Sequence, residues 1–355
     1  MAPNDVDRLA PEFRISVDGA DLRAPAAADV LWVSVDEDVD APAMFRMELI
    51  NWDPDKLRMK WSDDDLFKEG KQVEIRMGYR DHLESLIKGE ITALELSVAS
   101  HDLTTLVVHG FDRSHRLQRG RKTRAFTNVT DSDIARRVAE GMGFTVDAEQ
   151  TQERFDYILQ CNQTDLEFLR GRARSIGFEV IVREKTLVFR SRAIARSAAT
   201  SLALDRDLLA FRPRLTTVGQ APTTIVRGWN PAQKTAFVGQ AGPDDAPAKM
   251  GGTILGAASV KDRFGEAIAA AIDQPVASQA EADQYARARF NEMALAYISG
   301  DGVCVGRTDL RAGVVINVEG VGDRFSGNYY VTSAIHSYVP KDGYRTRFSF
   351  RRNAS

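Results

Sequence analysis

Between residues 12 and 111 apolar and polar residues alternate, and that alternation restricts the fold more than any other feature. Phe13, Ile15 and Val17 are spaced by two, as are Leu31, Val33 and Val35, then Phe45, Met47 and Leu49, then Val73, Ile75, Met77 and Tyr79. Side chains of a strand point alternately to opposite faces, so each run buries one face and wets the other. The next run changes phase: Ile87, Gly89, Ile91 and Ala93 are odd, whereas Leu94, Leu96 and Val98 are even. One extra residue near Leu94 keeps both halves facing inward, which is a β-bulge. With a further strand over Leu103 to Phe111, the pattern predicts a barrel or sandwich of short antiparallel strands.

After Phe126 the period becomes helical. Thr130-Asp-Ser-Asp133 has the spacing of a capping box, Ile134, Val138 and Met142 recur every four residues, and Gly143 ends the helix. A strand over Phe155 to Cys161 follows. A second capping box, Thr164 to Glu167, then opens a helix whose buried stripe is Leu166, Leu169, Ala173 and Ile176, closed by Gly177. Residues 178 to 189 read as a hairpin turning near Glu184, completing a small α+β unit over about 127 to 192. Residues 194 to 201 read as a linker, strands return weakly over 202 to 240, and residues 241 to 252 are loose by composition. Phe264, Ile268 and Ile272 share a helical face, and Ser278 caps a longer amphipathic helix reaching about Tyr297.

Sheet returns at the end. Ala312, Val314, Ile316 and Val318 are placed on one face, as are Phe325, Tyr329, Val331, Ile335 and Val339. Lys341-Asp-Gly343 is a hairpin turn, after which Tyr344, Thr346, Phe348 and Phe350 point inward and Arg345, Arg347 and Arg351 outward. Two β blocks of similar type thus flank an α+β insert.

A chain of 355 residues is too long for one core, and 43% hydrophobic with 27% charged residues is an ordinary soluble composition. A net charge of -3 gives no global attraction to nucleic acid or acidic lipid. Two cysteines, Cys161 and Cys304, suit a reducing compartment, and their pairing is not readable. The first residues lack the blocks of a signal peptide and no run of eighteen apolar residues occurs, so a cytoplasmic protein without membrane insertion is expected.

Chemistry is sparse. His336, on the even face with Thr332, Ala334 and Tyr338, has no companion nucleophile or carboxylate motif and reads as a strand histidine touching a neighbour. His101, His109 and His115 lack the paired cysteines of a zinc site, and residues 36 to 40 lack the glycine and glutamate of a calcium loop. No nucleophile elbow, phosphate loop or zinc-protease motif is present, so neither enzyme, cofactor nor metal is expected. The sharpest charge feature is residues 113 to 124, with Arg113, Arg116, Arg119, Arg121, Lys122 and Arg124 and no acid. Lacking aromatics, it points to an acidic protein partner or a solvated ribbon ahead of nucleic acid.

Several stretches in order resemble the phage late control gene D family, the baseplate hubs of contractile tails related to the hub part of VgrG spike proteins. They are residues 109–126, 130–144, 160–180, 226–231 and 310–336, with Asp112, Gly177, Gly228, Trp229, Gly313, Gly327 and Tyr329 as motif positions. The resemblance implies a mostly β fold with an α+β insert and two antiparallel β-barrels related by internal duplication. Residues 1–126 would form the first barrel, 127–200 the insert, 201–240 and 301–355 the second barrel, and 241–300 a loop and helical insert. Three copies would give a pseudo-sixfold ring joining a trimeric spike to a hexameric inner tube. The partners implied are a separate spike protein, the tube protein and other baseplate proteins. Assembly would occur in a bacterial cytoplasm, within an injection particle or virion. Arg116, Arg119, Arg121, Lys122 and Arg124 are the expected partner surface. The competing reading is a β-barrel protein that acts on or binds peptidoglycan or another glycan.

Overall fold

A computed structural model of the chain describes residues 10–80, 82–230, 234–271 and 275–355. The protein is mostly β. What the sequence presents as two β blocks is a single thirteen-stranded sheet. In the first block six strands lie in the order Pro11–Val17, Gln72–Tyr79, His82–Ser97, Thr105–Asp112, Met44–Ile50, Val30–Asp38. In the second the order is Thr200–Ala203, Val315–Glu319, Gly327–Val339, Gly343–Arg352, Ile298–Val305, Leu208–Leu215. Numbered by sequence within each block, both run first, fourth, fifth, sixth, third, second. The first–fourth pairing differs, being antiparallel in one block and parallel in the other.

The long Gly327–Val339 strand joins the blocks. Its first residues pair with Val315–Val318, whereas Ser333–Tyr338 pair with Asp38–Val33 of the first block. Two cores follow. One gathers Ile15, Val33, Phe45, Met47, Ile75 and their neighbours, with Tyr344 reaching in. The other gathers Leu202, Ile298, Tyr329, Val331, Phe348 and Phe350. Both blocks curl. Phe13 of the first strand meets Tyr338 at 4.8 Å and Tyr79 meets Tyr344 at 5.9 Å, across a gap that no strand pairing bridges. In the second block the end strands are linked by the short turn 204–207, where Asp207 Oδ1 accepts from the Ala203 N–H at 2.7 Å. Among the described residues neither block closes by an unbroken ring of strand pairing.

The expected phase change in the first block is a bulge, with the register shift between Ile91 and Ala93. Beyond it the strand leaves the core rather than returning to it: Leu96 and Val98 are 51% and 62% exposed. A second bulge, between Val331 and Ser333, overturns the expected face of the closing hairpin. Tyr329 and Val331 point inward as read, but past Thr332 the inward set is Ala334 and His336, both fully buried, while Ile335 turns outward and pairs beside Arg347. The returning strand keeps its alternation, with Tyr344, Thr346, Phe348 and Phe350 buried. Gly343 makes the turn at φ 71°, a conformation that costs glycine little.

The first insert forms as its caps dictate. Thr130 and Thr164 each accept from the backbone N–H three residues on, and Asp133 and Glu167 return the bond, opening helices Asp131–Gly141 and Asp165–Ser175. Both pack on a three-stranded sheet, Thr145–Ala148, Thr186–Ser191 and Phe178–Arg183, around Ile134, Leu169, Val180 and Phe189. Lys122–Thr130, assigned by sequence to the first block and its junction, pairs instead with Arg154–Gln163.

The second insert, expected as a loop and helices over 241–300, also takes in strands that the sequence assigned to the second block. Thr223–Asn230, Thr235–Ala241 and Ile268–Ala271 form their own sheet against the Gln279–Leu295 helix, whose Ser278 cap is as read. Ile268 therefore lies in a strand, not on the helical face expected with Phe264; Ile272 lies outside the described residues. Residues 241–252 are tied down, with the Met250 carbonyl accepting from the Asn328 N–H at 3.1 Å and that of Ala248 from the Asn353 amide at 2.7 Å.

Candidate partner interface

The basic segment follows the Thr105–Asp112 strand. Asp112 is buried and ends that strand: its carboxylate accepts from the N–H groups of Ser114 at 2.9 Å and Ala43 at 3.2 Å. Burial pushes its carboxyl above the ordinary value, against those bonds. The cations then turn onto the chain's own acids. Glu90, 5% exposed at its side chain, takes Arg116 at 2.7 Å, His115 at 2.9 Å and Arg113 at 3.7 Å. Burial opposes charge on Glu90, but the hydrogen bonds and charges of Arg116 and His115 outweigh it and hold the carboxyl low. Arg121 pairs with Glu167 at 2.9 Å, and Lys122 and Arg124 both reach Asp165 at 2.6 Å. Arg119 is exposed, and among the described residues its guanidinium reaches only the His115 ring, at 3.4 Å. Sequence could not reveal this neutralisation, because each acid lies 23 or more positions away, on another element.

The motif positions are mostly places of close approach. Gly177 ends its helix at φ 74°. A Cβ on Gly228 would sit 2.3 Å from Val276, and one on Gly327 2.8 Å from the Arg352 guanidinium. Gly313 turns at φ 79° beside Ile181. Tyr329 is buried, donates to the Phe325 carbonyl at 2.6 Å and lies under Arg352 at 5.2 Å. Trp229 is 58% exposed and shares its face with Val238, itself 49% exposed.

His336 is sealed in. Its Nδ1 shares hydrogen bonds with the Tyr344 hydroxyl at 2.8 Å and Thr346 Oγ1 at 3.3 Å, and burial pulls the ring down to about 4. A ring neutral at physiological pH and out of reach of solvent is a packing group. His115 and His109 face Glu90 and Glu95 separately, and no three metal-binding side chains converge among the described residues. No described helix is long and apolar enough to cross a membrane.

The first insert meets the sheet through polar joints the sequence did not suggest. The Tyr330 hydroxyl donates to Glu179, which also takes Arg190 at 2.8 Å. Glu292 of the long helix bridges Arg192 and Arg351. Between this insert and the first block lies a cavity of about 420 Å³, lined by Leu86, Ile87, Arg170, Val180 and Val182.

A family model described as the Alg8 N-terminal domain matches residues 8–339. The chain belongs to that family. The Alg8 N-terminal domain match spans the first β block, both inserts and the second block up to the joining strand, leaving out only its last strand, Gly343–Arg352. No curated protein matches the chain. Among solved structures, the 43 kDa tail protein of prophage MuSo2 from Shewanella oneidensis superposes with a TM-score of 0.73 at 15% identity, over 97% of this chain and 98% of that one. The tail protein of Neisseria meningitidis gives 0.68 at 13% identity, over 97% and 96%. A component of the E. coli type VI secretion system, described as similar to tail proteins gp27 and gp5 of phage T4, gives 0.59 at 14% identity, over 96% and 77%. At such identities the likeness is one of fold, and with the two tail proteins it extends over nearly the whole of both chains.

Proposed function

We propose that this member of the Alg8 N-terminal domain family is a structural baseplate hub of a contractile injection system or phage tail, of the late control gene D and VgrG-like kind. It acts mechanically rather than as an enzyme, joining a trimeric spike to a hexameric inner tube. The observation that carries the reading is the end-to-end fold likeness to a prophage tail protein. The recurrent strand order supports internal duplication, with each curled block serving as one barrel-like unit. Three copies then offer six similar units, which matches threefold contacts below to near-sixfold contacts above. The separate spike, the tube protein and neighbouring baseplate proteins are the partners. The chain assembles in a bacterial cytoplasm and ends in a particle. Arg116, Arg119, Arg121, Lys122 and Arg124 border the partner surface in this reading, with Arg119 the cation left for an outside acid.

Sedimentation of the purified chain with the spike and tube proteins of its own particle tests this. A complex holding three copies is expected; a chain that stays monomeric with both partners present contradicts it.

A further inference from the structure

Two runs of consecutive residues, Val180–Glu184 and Ser85–Lys88, line the 420 Å³ cavity between the first insert and the first block. A strand that faces a cavity with one side of its sheet contributes alternate residues. A consecutive run means that the strand presents its edge. Pairing agrees. Among the described residues Phe178–Arg183 pairs only with Thr186–Ser191, and His82–Lys88 pairs only with residues of Gln72–Tyr79 until Gly89 meets Asp112.

The two edges differ. On the Ser85–Lys88 side the Arg311 guanidinium already occupies the carbonyls of Ser85 at 3.4 Å and Leu86 at 2.5 Å. Among the described residues the Phe178–Arg183 edge pairs with no further strand. Its hairpin turns through Glu184 and Lys185, so Arg183 and Thr186 exchange backbone bonds, and every second pair does the same. The Arg192 N–H donating to the Gly177 carbonyl at 3.3 Å fixes this parity at the other end. Val180 and Val182 therefore aim N–H and C=O away from their hairpin partner, toward the cavity, and among the described residues no backbone bond receives them there. The edge narrows against Val39 and Asp40 at its Phe178 end and opens toward Glu184, where a bridge from Lys88 to Glu184 at 2.7 Å stands at the mouth. Both side chains of that bridge are exposed to solvent, so it parts easily.

We propose that this cleft receives an extended peptide segment of a protein partner, which adds as a fourth strand along Val180–Arg183. Backbone pairing of this kind supplies affinity while flanking pockets choose side chains. Leu86, Ile87, Val39 and Val314 favour apolar residues. Arg183 adds a preference for an acidic residue near the mouth: it is exposed, makes no ion pair among the described residues, and its neighbours Arg190 and Arg311 are committed to Glu179 and Glu37. The volume lies within the range of about 300–1,000 Å³ usual for binding pockets. The inference stands apart from the hub reading, since the cleft is intramolecular and open in one chain.

The test pans a displayed library of random short peptides on the full chain and measures a synthetic copy of the enriched sequence by fluorescence anisotropy. Enriched peptides should alternate apolar residues and share a carboxylate. Val182→Pro removes the outward N–H without breaking a hairpin bond and should weaken binding by at least about tenfold, whereas Val182→Ala, which keeps that N–H, should change it by less than about threefold. On the unaltered chain the same peptide should slow hydrogen exchange at the Val180 and Val182 amides, which decides the case should Val182→Pro fail to fold. No enrichment, or a peptide that leaves those amides exchanging as before, overturns the proposal.

Discussion

Arg311 forks Glu37 across 274 positions of chain, its Nε lying 2.9 and 2.8 Å from the two carboxylate oxygens. Arg311 leads into the second block and Glu37 lies in the strand that the first block lends to the joint. The pair therefore adds to a joint that the strand pairing, the ring contacts and the Tyr79 hydroxyl donating to the Gly306 carbonyl at 3.1 Å also hold.

Burial opposes the Glu37 charge, but the hydrogen bond and charge of Arg311 outweigh it and keep the carboxyl below its ordinary 4.5. A lowered carboxylate stabilises the fold above its unfolded value, and that contribution fades as pH falls through the folded value. Arg311→Met leaves a poorly solvated carboxylate and should cost about 3–5 kcal/mol in urea unfolding at pH 7. The double variant Arg311→Met/Glu37→Met should recover most of the loss. A single variant as stable as the parent would remove this pair from the joint.

His336 gives the second expectation. With its ring at about 4 in the fold and near 6.5 unfolded, the neutral form is the one the fold keeps. The stability it contributes is complete above about pH 6.5 and is lost as pH falls toward 4, roughly 2 kcal/mol by pH 5. Unfolding at pH 7 and pH 5 should differ by that amount more in the parent than in His336→Gln, which has no titrating ring. Equal pH dependence in the two proteins would contradict the sealed, neutral histidine.

Much of this was legible in sequence, but within limits set by range. Alternation located the strands of the first block, and the capping pairs Thr130–Asp133 and Thr164–Glu167 located two helices, because those signals lie within a few residues. The bulge at Thr332 was hidden, since one unpaired residue is defined by its partner strand, and missing it put Ile335 on the inward face and Ala334 and His336 on the opposite one. The pairing of Gly327–Val339 with Val30–Asp38 spans some three hundred positions and leaves no local mark. The second insert was read as helical but without its sheet, for a related reason: Ile268–Ala271 is too short to show a period, and its parallel pairing with Thr223–Val226 is again distant.

The basic segment separates structural cations from those left for a partner. Asp165 is 2% exposed and depends on Lys122 and Arg124, each more than a third exposed. Replacing both with glutamine should cost roughly 3 kcal/mol, the lower end for breaking a buried pair, as a drop in urea midpoint. Arg119→Gln, on an exposed side chain, should stay within about 0.5 kcal/mol of the parent while weakening association with the partner proteins. An Arg119 variant that assembles as well as the parent would exclude that side chain from the interface.

The central claim is that three of these chains sit between spike and tube. A cryo-electron microscopy map of the native particle tests it most directly. The account predicts three copies in one ring, their curled blocks alternating around the axis in near-sixfold array, with the spike below and the first tube ring above. A ring of any other copy number, or a chain placed away from the spike–tube junction, would contradict it.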